Sequence, residues 1–179
     1  WEPDEGASTL ATALAYRAAQ IDPTRTFCLA DFDLFNSGLS FLTNLEAEPG
    51  VSNVLLGQVA LEEVLATTPL PNLCVLPAGY PTIGRHVTQV VDRCQELCEL
   101  LIARFNYVML DTPCLRQHPN FAFWANGLAQ AVLVVRAGQA RQPTVAKAIQ
   151  TLQLMRLEVA GVVLNAREYH VPKWLYSRT

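Results

Sequence analysis

Two short apolar segments of this 179-residue chain end in acid. The run LADFD places Asp31 and Asp33 at the end of one, and VMLDTP places Asp111 at the end of another. If these segments are strands of a parallel sheet, their carboxyl ends form the edge where ligands bind. A carboxylate there can hold Mg²⁺ through its water shell, or orient a water or hydroxyl for attack on a phosphate. A lone acid in such a place more often caps the turn or helix that follows. Three acids on two strands favour a site.

A turn near the start of the chain strengthens that reading. Residues 3 to 9 read PDEGAST and lead into a helical pattern. A phosphate-binding loop needs a Gly-rich turn and then Gly-Lys-Ser/Thr opening a helix. Its backbone N–H groups cradle the phosphate, and the helix N-terminus adds a favourable dipole. The lysine reaches the terminal phosphates and the hydroxyl binds Mg²⁺. Here Gly6, Ser8 and Thr9 are in place, and the amides of Glu5, Gly6, Ala7, Ser8 and Thr9 are expected to form the cradle. Ala7 stands where the lysine belongs and Asp4 where a second glycine is usual. The first lysine of the chain is Lys147, so no sequence neighbour substitutes. The plain structural alternative is a helix N-cap at Ser8 behind an acidic turn.

The elements that would position these groups are legible as patterns. Residues 8 to 20 are alanine-rich and helical, ended by Pro23. Strands are expected at 26–31, 72–77, 106–111, 131–136 and 159–165, each apolar throughout. Short helical pieces fill 50–66, a long amphipathic helix covers 85–105, and another covers 142–156. Apolar strands alternating with helices imply an α/β three-layer sandwich: a mainly parallel central sheet covered on both faces. No repeat or linker is visible. A strand normally feeds a phosphate loop from mid-sheet, and none precedes Trp1. The first strand is therefore expected to be missing from the chain, and the start at Trp1 reads as a cut. The expected organisation is one domain over 1–165 and a tail over 166–179.

Composition narrows the function classes. Hydrophobic residues make up 51% and charged residues 16%, which is a globular balance. No apolar run reaches the ~18 residues needed to span a bilayer, and no secretory signal is visible from Trp1 on. A net charge of −3 gives no electrostatic case for nucleic acid. The five cysteines lack metal spacing, so free thiols in a reducing cytoplasmic compartment are expected.

In order along the chain stand PDEGAST, DFDL, GVSNVLLG, ALEEVL, NLCVLPAG, FNYVMLDTP, LVVRAG and GVVLN. This series resembles the cytoplasmic bacterial tyrosine kinases of capsule and exopolysaccharide synthesis, relatives of the MinD/ParA-like P-loop ATPases. That family typically reads PGEGKST, DADL, GLSDVLLG, SLEEAL, NLDVLPAG, FDYVILDTPP, LVVRAG and GVVLN. The match runs from residue 3 to about 165. Each motif alone is weak, but the ordered set is specific. The resemblance implies a P-loop fold that binds ATP or ADP with Mg²⁺. It matches Asp31 and Asp33 to the Walker A′ acids and Asp111 to the Walker B acid. It makes Ser8, Asp31 and Asp111 the metal group, and puts Asn165 at the strand end beside the adenine.

The departures cut against activity. Besides Ala7 and Asp4, Phe35 and Asn36 stand where the kinases usually carry arginines. The tail REYHVPKWLYSRT holds only Tyr169 and Tyr176 in place of a tyrosine cluster. Residues 171–178 place Trp174, Leu175 and Tyr176 among Lys173 and Arg178, a segment suited to a membrane surface, a partner groove or packing on its own domain. Three readings follow. The first is a degenerate kinase-like domain that binds nucleotide weakly or not at all. It would act by association with an active kinase or with the chain-length regulator of a polysaccharide export system, or as a homo-oligomer at the inner face of the membrane. The second is an active tyrosine autokinase with its lysine removed by mutation. The third is a MinD/CpaE-like positioning ATPase, against which Glu2 stands where that group carries an extra signature lysine.

Overall fold

The computed structural model describes residues 2–34, 38–46, 48–79, 87–117 and 128–167. Phe35, Asn36 and the tail residues 168–179, including Tyr169, Lys173, Trp174, Leu175, Tyr176 and Arg178, lie outside the described residues. The elements run in order α1 (Ala7–Ile21), β1 (Phe27–Asp31), α2 (Gly38–Thr43), α3 (Val51–Leu55), α4 (Leu61–Val64), β2 (Ala66–Thr67), β3 (Leu73–Leu76), α5 (Val87–Arg104), β4 (Tyr107–Asp111), β5 (Gln130–Arg136), α6 (Gln142–Leu154) and β6 (Glu158–Asn165). The five expected strands and the three longest helices all form. Their ends shift by a residue or two, the usual uncertainty of an element boundary.

β1 is the centre of the sheet because every one of its residues is buried. Its side chains alternate between two cores, as strand geometry requires. Phe27 and Leu29 pack with Ala15 and Ala19 of α1 and with Leu73 and Val75 of β3. Cys28 and Ala30 point the other way, into a core with Leu97 and Leu101 of α5 and Ala148 and Leu152 of α6. Leu97 and Leu101 are 2% and 0% exposed, and burying each contributes about 1.5–3 kcal/mol. The result is the three-layer α/β arrangement, α1 on one face and α5 with α6 on the other. Burial pushes the thiols of Cys28 and Cys94 up to about 12, so both behave as small apolar side chains.

The sheet order is β2-β3-β1-β4, with β1 parallel to β3 and to β4. β2 is a two-residue antiparallel edge against β3 that no sequence pattern announced. β5 and β6 form a separate parallel pair. Among the described residues, then, the expected single sheet divides in two, with β4 and β5 as the facing edges. A cavity of about 1050 Å³ lies between them.

The α1 helix is held at both ends. Gly6 is its N-cap with φ 87°, a left-handed conformation suited to glycine. Ser8 therefore lies inside the first turn and is not the cap. At the other end, the Asn72 side-chain amide donates to the carbonyls of Ala19, Asp22 and Arg25. Ala19 belongs to the last turn, whose carbonyls the helix end leaves without an internal partner; Asp22 and Arg25 belong to the cap and the turn that follow.

Candidate nucleotide and metal site

The loop from Glu2 to Ser8 winds back over the carboxyl edge of β4, β5 and β6. Two of its residues have positive φ: Asp4 at 59° and Gly6 at 87°. Asp4 thus holds the left-handed backbone that glycine would adopt without strain. Aspartate tolerates that region better than most side chains, so the loop keeps its winding despite the substitution. Amides turned inward by such winding make an anion nest.

Two contacts fasten this loop to β5 and β6, and a third closes it on itself. The Asn165 amide donates to the Glu5 carbonyl at 2.8 Å. The Glu5 carboxylate accepts from the backbone N–H of Arg136 at 3.2 Å and from that of Glu2 at 2.7 Å. Glu5 is only 7% exposed, so its charge is occupied inside the loop. A Cβ on Gly6 would meet the Asn165 amide nitrogen at 2.2 Å; glycine is required there by contact as well as by φ. The contribution of Arg136 is a backbone amide, invisible to any reading of residue types. Arg116, from the turn after β4, holds the Glu2 carboxylate through its Nη1. It is the cation the sequence reading missed at the mouth of the loop.

Asp31 and Asp111 are paired in register across β1 and β4, which brings their side chains side by side. They are 0% and 2% exposed. Asp31 Oδ1 accepts from the Asp33 amide at 3.0 Å, and the Leu39 amide at the start of α2 also donates to its carboxylate. The Ser8 hydroxyl donates to Asp111. Asp31 Oδ2 and Asp111 Oδ2 have no hydrogen-bond partner. Burial, reinforced by the neighbouring Asp111, pushes the Asp31 carboxyl up to about 8. Burial raises Asp111 to about 6, with the Ser8 bond working against the shift. Asp33 lies at the rim of the large cavity together with Ser8 and Asp111. The capping role weighed for these acids is real for Asp31, but it uses only part of the carboxylate.

Two orphaned, buried carboxylate oxygens beside a serine hydroxyl fit a hard divalent cation. Among the described residues no three acidic, histidine or cysteine side chains gather as a self-sufficient metal cage. A cation there would complete its shell with water and ligand oxygen, as Mg²⁺ prefers. Ala7 brings no cation to the loop. Asn165 is brought to the loop through its bond to Glu5. Thr9 follows on α1 at the cavity wall.

No protein-family model matches the chain. The loop, its helix and the acid-ended parallel strands make an α/β fold that matches those of MinD-like P-loop ATPases. Over 97% of its length the chain superposes on the septum site-determining protein MinD of Pyrococcus horikoshii in complex with Mg-ADP. The TM-score is 0.74 at 19% identity, with 72% of that chain covered. Within this class its homologues are bacterial tyrosine-protein kinases. It is 29% identical over 164 residues to the tyrosine-protein kinase CpsD of Streptococcus agalactiae serotype III, covering 90% of this chain and 69% of that protein. The VpsO kinase domain superposes with a TM-score of 0.82 at 26% identity, over 93% of this chain and 81% of that one.

Proposed function

We propose that this chain is a degenerate tyrosine-kinase-like domain, one that acts by association in an exopolysaccharide synthesis or export system. One observation carries the reading. The loop keeps the backbone of a phosphate cradle, with left-handed residues at 4 and 6, yet bears aspartate and alanine where glycine and lysine serve the chemistry. The Asp4 carboxylate opposes an incoming phosphate, and no ammonium meets it. Loss of such charge stabilisation in phosphoryl transfer is worth about 10³–10⁵ in rate. When bound, Mg²⁺ would neutralise phosphate charge; Ser8, Asp31 and Asp111 would hold its shell, and the amides of residues 5 to 9 would orient the phosphates.

The partner in this reading is an active kinase, a chain-length regulator or a second copy of the chain, reached from the cytoplasmic face of the membrane. No helix among the described residues is long and apolar enough to cross one. A second reading, an active kinase with its lysine removed by mutation, is favoured by the intact Ser8, Asp31 and Asp111 group.

The test is direct. Purified protein is expected to bind ATP at least tenfold more weakly than its Asp4→Gly/Ala7→Lys variant by calorimetry, and to transfer no labelled phosphate to Tyr169 or Tyr176. Labelling of those tyrosines by the unmodified chain would defeat the degenerate reading. Labelling by the double variant alone would support the second one.

A further inference from the structure

The turn after β4 brings a cation to the loop at Glu2 from another element. The Gln117 N–H donates to the Cys114 carbonyl and closes that turn. Cys114, Leu115 and Gln117 line the large cavity, as do Gly6, Ala7 and Ser8. Arg116, carried on the same turn, reaches out to Glu2. Its Nη1 donates to both oxygens of the Glu2 carboxylate.

This ion pair is weakly made. The Arg116 side chain is 62% exposed and that of Glu2 35%, so water competes for both charges. One guanidinium nitrogen makes both contacts, and the fork in which two nitrogens grip two oxygens is not used. A terminal phosphate carries more charge than a carboxylate and accepts that fork. The loop has no basic residue of its own between Glu2 and Thr9. The same cavity bears a second mark of a ligand. Asp111 lines it, 2% exposed, with Oδ2 unpartnered.

We propose that Arg116 is the cation that serves this loop. Its pair with Glu2 is a resting place. When a phosphate enters the cradle, the guanidinium leaves the Glu2 carboxylate and grips the terminal phosphate with two nitrogens. The inference rests on the phosphate cradle of the proposed function. The ligand class is a polyphosphate, free or borne by a nucleoside. Glu2 is then the rival of the ligand for one cation, and Arg116 takes over the task of the missing lysine from the opposite wall. Arg141 supplies a charge-matched control, because it lines a different cavity of about 440 Å³ behind the loop, with Pro3 and Glu5.

The experiment measures binding of inorganic tripolyphosphate and of ATP by calorimetry at physiological salt, with a melting curve for each variant. Glu2→Gln is expected to bind tripolyphosphate roughly threefold tighter than the parent, since Arg116 loses its carboxylate partner. Glu2→Gln/Arg116→Ala is expected to lose about tenfold against Glu2→Gln. Glu2→Gln/Arg116→Lys should lose less, because an ammonium keeps the charge without the fork. Glu2→Gln/Arg141→Ala should stay within about twofold of Glu2→Gln. The Glu2→Gln background matters: in it, removing Arg116 strands no carboxylate beside the ligand. Equal binding with and without Arg116 in that background overturns the proposal. So does an equal loss on removing Arg141, which would be a general effect of charge, and so does no gain, or no binding at millimolar tripolyphosphate, in Glu2→Gln. If the Arg116→Ala chain does not fold, Arg116→Gln takes its place under the same criteria. The two ligands separate the sources. An equal loss for both shows that Arg116 reads phosphate on a nucleotide, a loss for tripolyphosphate alone makes the ligand a free polyphosphate, and a loss for ATP alone overturns the proposal. The degenerate reading fails separately, on phosphate transfer to Tyr169 or Tyr176 by the parent, which none of these binding ratios decides.

Discussion

Asp4 separates the shape of the loop from its charge. Its φ of 59° is what a glycine would supply freely, and a non-glycine residue in that region carries strain of about 1 kcal/mol. Asp4→Gly is therefore expected to stabilise the fold by about 0.5–1 kcal/mol in urea unfolding, apart from any gain in anion binding. The Asp31 and Asp111 pair makes a second prediction, about pH. Both carboxyls hold a proton more tightly folded, at about 8 and about 6, than their ordinary value of 3.8. Between roughly pH 4 and pH 8 the folded chain thus binds more protons than the unfolded one, and stability falls as pH rises through that window. Asp31→Asn should melt several degrees higher than the parent at pH 8 and show a flatter profile, with little difference at pH 4. Mg²⁺ should raise the parent's melting temperature at pH 8 and lose this effect near pH 5, where protons compete for the same oxygens. A parent whose stability rises between pH 5 and pH 8 would contradict the assignment.

At the scale of elements, what was legible is what hydrophobic pattern encodes. FCLAD and LCVL are apolar because both their faces are covered, and YVMLD carries the same apolar run although only Asp111 in it is fully buried; that pattern alone located β1, β3 and β4. Ala66–Thr67 was not legible: a two-residue edge has no period, and its strand character comes from Cys74 and Val75 of its partner. The division of the sheet was half legible. The alternation of strands and helices could be read, but that a gap among the described residues would fall between β4 and β5 depends on topology, which local sequence does not carry. At the site, Asp31, Asp33, Asp111 and Ser8 were legible by type and position. The Glu5 clasp was not, because its partners are a backbone amide from β5 and a side-chain amide from β6, more than 130 residues away. Asn72 was equally silent in sequence, yet it closes the end of α1 by donating to three carbonyls. Asn72→Ala should cost about 1–3 kcal/mol, the penalty of stranding such acceptors. The loss should appear in thermal melts and as faster exchange confined to the last turn of α1. A melt unchanged from the parent would mean that water replaces the amide without penalty.

For the whole molecule, the question is which surface carries association. β6 ends the described core with one side unpaired, and Val162 and Leu164 are 43% and 59% exposed. The segment that follows, residues 168–179, is rich in Trp174, Leu175 and Tyr176 between the basic Lys173 and Arg178. Two outcomes compete for it. As a strap over β6, it would cover those apolar side chains and its loss would lower stability. As a docking element, it would present an amphipathic face to a partner or an anionic membrane, at little cost to the fold on removal. The proposed function is served most simply by the second. Deleting residues 168–179 is expected to shift the melting temperature by less than a few degrees while reducing pull-down of the partner, or sedimentation with anionic vesicles, at least severalfold. The described strands and helices that build the core all precede residue 168, which is why stability should hold. Collapse of the melting transition would identify a strap. Retained stability with undiminished association would move the docking surface elsewhere on the domain, with the exposed Phe41 and Leu42 of α2, beside the loop, as the next surface to mutate.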